Sequence, residues 1–131
     1  MQKIPIIKIG ENLIVSLQFD IDDSSAVGLQ GDLLLMIQKT GATGVLVELS
    51  ALDMVDSFMG RMLSDITRMS ATMNANTVIV GIQPSVAITL VELGLRLEGV
   101  HTALNVEAGI ALLEKLRTAK AGSGHETDSD K

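Results

Sequence analysis

Two short runs of almost uninterrupted apolar residues constrain the fold of this chain more than any other feature. Residues 44–49 read GVLVEL and residues 77–82 read TVIVGI. Runs of this length and β-branched composition are typical of strands that are covered on both faces, as in a parallel sheet. Because an amphipathic helical pattern lies between the two runs, the sequence predicts an α/β domain with a largely parallel sheet.

The helical pattern begins directly after Ser57, and its apolar residues recur at steps of three and four. Arg61, Asp65 and Arg68 occupy another face of this predicted helix. The predicted apolar stripe consists of Phe58, Met62, Ile66, Met69 and Met73.

Elements of the same kinds flank this central unit. Residues 4–9 and 13–19 read as strands of a hairpin, and Pro5, which has no N–H to donate, places the first strand at a sheet edge. Residues 22–24, Asp-Asp-Ser, are of the types that are preferred at the N-terminus of a helix and predict that one begins there. A helix after Pro84 has Val86, Leu90, Leu93 and Leu97 on one side, and Asn105 is a good N-cap for a last helix. The prediction is one domain with a mixed sheet of about four to five strands and about four helices.

Composition limits the domain organisation and the classes of function. The 131 residues suit one compact domain, which we expect to span residues 1–118, followed by a polar, disordered tail at 119–131. The absence of cysteine excludes disulfides and thiolate chemistry, and a net charge of −6 argues against a nucleic-acid partner. The uncharged segment 69–91 is too interrupted by polar residues to cross a membrane, and the N-terminus lacks the pattern of a signal peptide.

The loop 52–58, LDMVDSF, joins the central strand to the central helix and carries Ser57. The Ser57 hydroxyl is predicted to cap the helix and to be accessible to a kinase. No local base accompanies it, and neither His101 nor His125 lies near it in the sequence, so catalysis by this serine is disfavoured. We interpret Ser57 as a residue that is acted upon.

Asp53 and Asp56 allow a different chemistry, in which carboxylates hold Mg²⁺ and accept a phosphoryl group, as in response-regulator receivers. That chemistry also needs an earlier acidic pair, drawn from Asp20, Asp22 and Asp23, and a lysine at the sheet edge. No lysine occurs between Lys39 and Lys115. Turn hydrogen bonding and helix capping explain Asp53 and Asp56 more simply. The methionines near Ser57 also have two interpretations, because Met59 and Met62 can fill the core or contact a partner.

The segments VLVELSALDMVDSF and GIQPSVAITLVELG together resemble the STAS domain family, the anti-sigma-factor antagonists of bacteria. The resemblance extends over residues 1 to about 118. Within the family, the opening KIPIIKI, the run LIVSLQFDIDD, and VDSF in place of the usual Asp-Ser-Ser-Gly are most similar to RsbS-type proteins of the stressosome.

This resemblance implies a non-enzymatic cytoplasmic scaffold that needs no cofactor or metal. It implies homo-oligomers and a large assembly with an RsbR-type STAS co-antagonist, sequestration of an RsbT-type serine kinase, and resetting by an RsbX-type phosphatase. Ser57 is then the phosphoacceptor, and Ser85 and Thr89 are further candidates that capping and helix packing explain sufficiently. A soluble anti-sigma-factor antagonist is the alternative. The predicted partner-binding residues around Ser57 are Asp53, Asp56, Phe58, Met59, Arg61 and Met62.

Overall fold

A computed structural model describes residues 3–18, 21–94 and 100–130 of the chain. These residues form five strands and four helices, and after the first two strands helices and strands alternate. They are β1 (Ile6–Ile9), β2 (Asn12–Ser16), α1 (Asp23–Thr40), β3 (Gly44–Glu48), α2 (Ser57–Thr72), β4 (Asn76–Val80), α3 (Pro84–Glu92), β5 (Val100–Ala103) and α4 (Val106–Asp130).

The five strands form one mixed sheet in the order β1-β2-β3-β4-β5. β1 pairs with β2 in an antiparallel hairpin, and every later neighbour pairs in parallel. The predicted α/β class, strand number and edge position of the first strand are therefore confirmed. The central strands β3 and β4 run side by side with Gly44 opposite Asn76, so the loops that follow them leave the same edge of the sheet.

The continuous apolar runs fill two cores, one on each face of the sheet. Successive strand residues point to opposite faces. Val45 and Val47 accordingly join the core under α1, α2 and α3, while Leu46 joins the core under α4. Ile79 and Val78 divide in the same way on β4. A helical layer on each face explains why the strands read as unbroken apolar sequence rather than as an alternation.

A glycine allows α4 to lie close to the sheet. A Cβ built at Gly109 would approach Val80 Cγ1 to 2.6 Å and Leu46 Cδ1 to 2.7 Å. Both of those residues are fully buried. The missing side chain therefore sets how closely the helix packs.

Details of three helices differ from the predictions. The buried face of α2 is centred on Met59, Leu63 and Ile66, because the helix is rotated so that Phe58 lies at the edge of the interface. Leu93 is the C-cap of α3 and is exposed, since the helix ends before it, and Leu97 lies outside the described residues. The bounds of α4 run into residues 119–130; disorder of that tail concerns its behaviour in solution and stays a prediction.

Candidate functional site

The loop between β3 and α2, residues 49–56, leaves the carboxyl edge of the sheet beside the loop that follows β4. Leu49 N–H donates to Val80 O at 2.9 Å, which continues the pairing of the two strands by one residue. Leu52 N–H then donates to Leu49 O at 2.9 Å in a turn. Leu49 and Leu52 are fully buried, so the first half of the loop is anchored in the core.

Asp56 caps α2. Its Oδ1 accepts from Met59 N–H at 2.8 Å, and its carbonyl accepts from Gly60 N–H at 3.0 Å. The Asp56 backbone is extended (φ −104°, ψ 179°), as a capping residue requires. The prediction that Ser57 caps the helix is therefore wrong by one position, because Ser57 is already the first helical residue. Its hydroxyl is exposed and bonds to no residue in the described part of the chain.

The side chains around Ser57 divide into an exposed set and a buried set. Asp53, Asp56 and Arg61 are exposed, and Phe58 is 36% exposed. Met59 and Met62, which the sequence places among the partner-binding residues, are instead packed in the core with 9% and 2% exposure. They face inward because α2 needs apolar side chains at these two helical positions to cover the sheet. Arg61 lies four residues after Ser57 on the same side of the helix.

Two residues at the start of α3, after strand β4, donate hydrogen bonds to the loop. Gln83 Nε2 donates to Ser50 O at 2.8 Å, and Ser85 Oγ donates to Asp53 O at 3.1 Å. Gln83 is the N-cap of α3 but makes no side-chain cap, because its amide is turned towards the loop. Ser85 is likewise a loop contact rather than a cap, which corrects the simpler interpretation of this residue.

Glu48 and Gly81 complete the support of the loop. Glu48 Oε1 accepts from Ser16 Oγ at 3.2 Å, and Glu48 Oε2 accepts from Ser50 N–H at 3.0 Å. Gly81 has a φ of +73°, and a Cβ there would lie 2.9 Å from Glu48 Oε2. The sequence carried no signal for these contacts, because the partners lie up to 33 residues apart.

One of the carboxylates that receiver-like chemistry would need, Asp22, is engaged as a helix cap. Asp22 caps α1, with Oδ1 accepting from Ser25 N–H at 2.7 Å and from Ser24 Oγ at 3.0 Å. The hydrogen bonds from Ser25, followed by that from Ser24, hold the Asp22 pKa below its usual value. Asp20 lies outside the described residues. Within 3–18, 21–94 and 100–130, no three acidic or histidine side chains are grouped as a metal ion would require.

A groove of about 470 Å³ lies away from this loop, between the N-terminal segment and α1. None of its lining residues belongs to residues 49–62, so the groove is separate from the Ser57 loop. The lining residues are Lys3, Ile4, Pro5, Ile6, Asp32, Leu35, Met36, Gln38 and Lys39.

A five-stranded mixed sheet with helices on both faces, and an exposed serine at the start of the helix after its central strand, characterise this small α/β domain. The profile of the STAS domain matches residues 3–109. The chain belongs to the STAS domain family, as its resemblance predicted. No curated protein sequence matches it.

Solved structures narrow the similarity within the family. A serine-to-glutamate variant of RsbS from Moorella thermoacetica is 35% identical, with a TM-score of 0.81 over 89% of this chain and 99% of that one. A chain from a structure of the molecular architecture of the stressosome is 37% identical, with a TM-score of 0.78 over 86% of this chain and 98% of that one. The anti-sigma-factor antagonist SpoIIAA, at 12% identity and a TM-score of 0.65 over 87% and 97%, shares the fold. Within the STAS family, the two structures that are 35% and 37% identical to this chain are an RsbS protein and a stressosome chain.

Among the helices in the described ranges, none is both long and apolar enough to cross a membrane.

Proposed function

We propose that this protein is a non-enzymatic scaffold of a stressosome-type complex, which holds a serine kinase of the RsbT type and releases it when Ser57 is phosphorylated. The assembly would include an RsbR-type STAS partner, and an RsbX-type phosphatase would reset the serine. One observation carries the proposal: the Ser57 hydroxyl is exposed and unbonded within the described chain, because its neighbour Asp56 caps the helix.

The position of Ser57 suits a switch that changes a surface and leaves the fold intact. A phosphate adds a charge of roughly −1.5 to −2. The free N–H groups of the first turn of α2 favour an anion there, and Arg61 lies one turn away as a counter-ion. Asp53 and Asp56 are exposed beside the same turn. Phosphorylation would therefore create a strongly negative surface that repels an acidic neighbour.

The similarity to RsbS and to the stressosome chain, over almost the whole length of both, supports the choice of this branch over others in the family. SpoIIAA is far less identical to this chain, so its likeness supports only the fold. We therefore rank the alternative function, that of a small, soluble anti-sigma-factor antagonist, second.

Phosphosite mapping tests the proposal. The parent, Ser57→Ala and Ser50→Ala proteins are incubated with an RsbT-type kinase, ATP and Mg²⁺, and phosphorylated residues are identified by mass spectrometry. Ser50 is the matched control, because it is an exposed serine of the same loop. We expect one acid-stable phosphate on Ser57 in the parent and in Ser50→Ala, and none in Ser57→Ala.

Absence of phosphate at Ser57, with a kinase that is active on another substrate, would contradict the proposal. An acid-labile phosphate that persists in Ser57→Ala would instead favour an acyl phosphate on Asp53 or Asp56. Particle size separates the two binding-module alternatives. A scaffold enters very large particles with an RsbR-type partner and retains the kinase there until phosphorylation, whereas a small antagonist does not.

A further inference from the structure

We propose that Gln83 and Ser85 are positioning residues, which hold the loop 49–56 in the conformation that presents Ser57 to its kinase. This inference rests on the proposed function, since it assigns a role in the phosphorylation of that serine. It adds two residues from α3 and its N-cap, more than 25 positions further along the chain, to the Ser57 site.

The two halves of the loop are held unequally. The first half has the backbone bonds of Leu49 and Leu52, and both side chains are buried. The second half, residues 53–55, makes one backbone hydrogen bond to the described residues, and its donor is Ser85 Oγ at 3.1 Å. Val55 adds a half-buried apolar contact with the core. The hydroxyl of Ser85 is thus the polar anchor of the segment that leads into Asp56 and Ser57.

Gln83 holds the loop at its other end. Its amide donates to Ser50 O at 2.8 Å, directly beside the turn that Leu52 closes. Gln83 and Ser85 flank Pro84 at the start of α3. The ring of Pro84 restricts its φ angle, so both contacts are made from a conformationally restricted segment of backbone. The two hydrogen bonds, which we call the clamp, therefore restrain the loop at Ser50 and at Asp53.

A kinase needs the acceptor hydroxyl in one geometry, so its apparent efficiency scales with the fraction of molecules whose loop has that geometry. Loss of either contact would leave Asp56 as the helix cap and would free the backbone that precedes it. The expected result is a normally folded protein whose Ser57 is a poorer acceptor.

Hydrogen exchange tests the clamp without any kinase. The variants Ser85→Ala and Gln83→Met remove the donors, and Thr72→Ala is the matched control, because the Thr72 hydroxyl bonds only within its own helix. We expect the amides of Ser50 and Leu52 to exchange about three- to tenfold faster in Gln83→Met, as the loss of one hydrogen bond predicts, and the amide of the half-buried Val55 to exchange faster in Ser85→Ala. Circular dichroism should retain the parent helical signal in all three.

Phosphorylation kinetics test the positioning role. We expect kcat/KM for the protein as acceptor to fall in Ser85→Ala and Gln83→Met, by no more than the roughly three- to tenfold factor by which loss of one hydrogen bond favours opening of the loop. Ser85→Thr keeps the hydroxyl and should therefore retain most of the parent kcat/KM. Thr72→Ala should match the parent.

Exchange rates within twofold of the parent would overturn the clamp. A loosened loop with unchanged kcat/KM, or a failure of Ser85→Thr to rescue, would overturn the positioning role. A parent protein that accepts no phosphate at Ser57 would contradict the proposed function and this role together, whereas the exchange data judge the contacts by themselves.

Discussion

The Asp56 carboxylate accepts a hydrogen bond from Met59 N–H at 2.8 Å and closes the first turn of α2. Because this side chain satisfies the helix terminus, the hydroxyl of the adjacent Ser57 is left exposed and unused within the described chain. Two neighbouring residues thus have separate tasks, one structural and one available for modification. This division leads to two predictions.

Asp56→Ala should lower the free energy of unfolding by about 0.5–2 kcal/mol, the usual effect of losing a side-chain cap. Asp56→Asn should retain most of the stability, because an asparagine oxygen accepts the same bond. Asp53→Ala is the matched control, since the Asp53 contact to Ser85 uses the backbone carbonyl. Urea titrations followed by circular dichroism measure all three. Equal stability of Asp56→Ala and Asp53→Ala would contradict the capping role.

Ser57→Asp should leave the fold intact. The new carboxylate lies at the N-terminus of α2, where a negative charge contributes about 0.3–1 kcal/mol favourably, and the side chain is exposed. We expect the parent helical signal and a melting temperature close to that of the parent. A large loss of either would show that charge at Ser57 acts by unfolding α2, and the surface-switch mechanism would then be wrong.

Gly109→Ala should destabilise the protein by up to about 2 kcal/mol. Overpacking a core costs about 1–3 kcal/mol, and about 1 kcal/mol of this is offset by the gain that a helix has from replacing glycine by alanine. The new methyl group would meet Val80 and Leu46, which are fully buried in the core between α4 and the sheet and would have to shift to admit it. Thermal or urea unfolding measures the change.

Gly31→Ala provides the control for that substitution. Gly31 also lies within a helix, α1, but a Cβ there meets nothing within 4 Å. It should therefore stabilise the protein by about 0.5–1 kcal/mol. Changes of the same sign in the two variants would contradict the close approach of α4 to the sheet.

Thr77→Val should stabilise the protein by about 1 kcal/mol, because the Thr77 hydroxyl is buried and has no hydrogen-bond partner among the described residues. Thr67→Val is the comparison, since that buried hydroxyl donates to Leu63 O at 3.0 Å. The second substitution should be neutral or destabilising. A stabilisation of the same size in both would show that hydrophobicity alone, and not the unpaired hydroxyl, is responsible.

The cap of α1 should make stability depend on pH in acid. The folded-state pKa of Asp22 is lowered, chiefly by the hydrogen bonds from Ser25. A lowered pKa means that the carboxylate contributes stability above the usual value of 3.8 and loses it as the pH falls through the folded-state value. Asp22→Asn keeps a capping oxygen but does not titrate. The stability difference between parent and variant should therefore shrink below about pH 4. A constant difference between pH 6 and pH 2 would contradict this.

Local signals predicted the elements well where the responsible residues are adjacent in the chain. Pro5 indicated an edge strand, and Asn105 caps the last helix through a bond from Ala108 N–H at 2.9 Å. The same approach placed the α2 cap one residue late. Asp56 and Ser57 are both good capping residues, and the choice between them depends on where the backbone leaves its extended conformation.

The sequence by itself determined the α/β class, the two-sided burial of the central strands and the loop that carries Ser57, because periodicity and capping act over a few residues. Only the tertiary structure decided the orientation of α2 about its axis, which buries Met59 and leaves Phe58 at the edge of the interface, and the contacts of Gln83 and Ser85 with the loop. These depend on helices and strands packing together across more than 30 positions, and no local pattern of residues encodes such a contact.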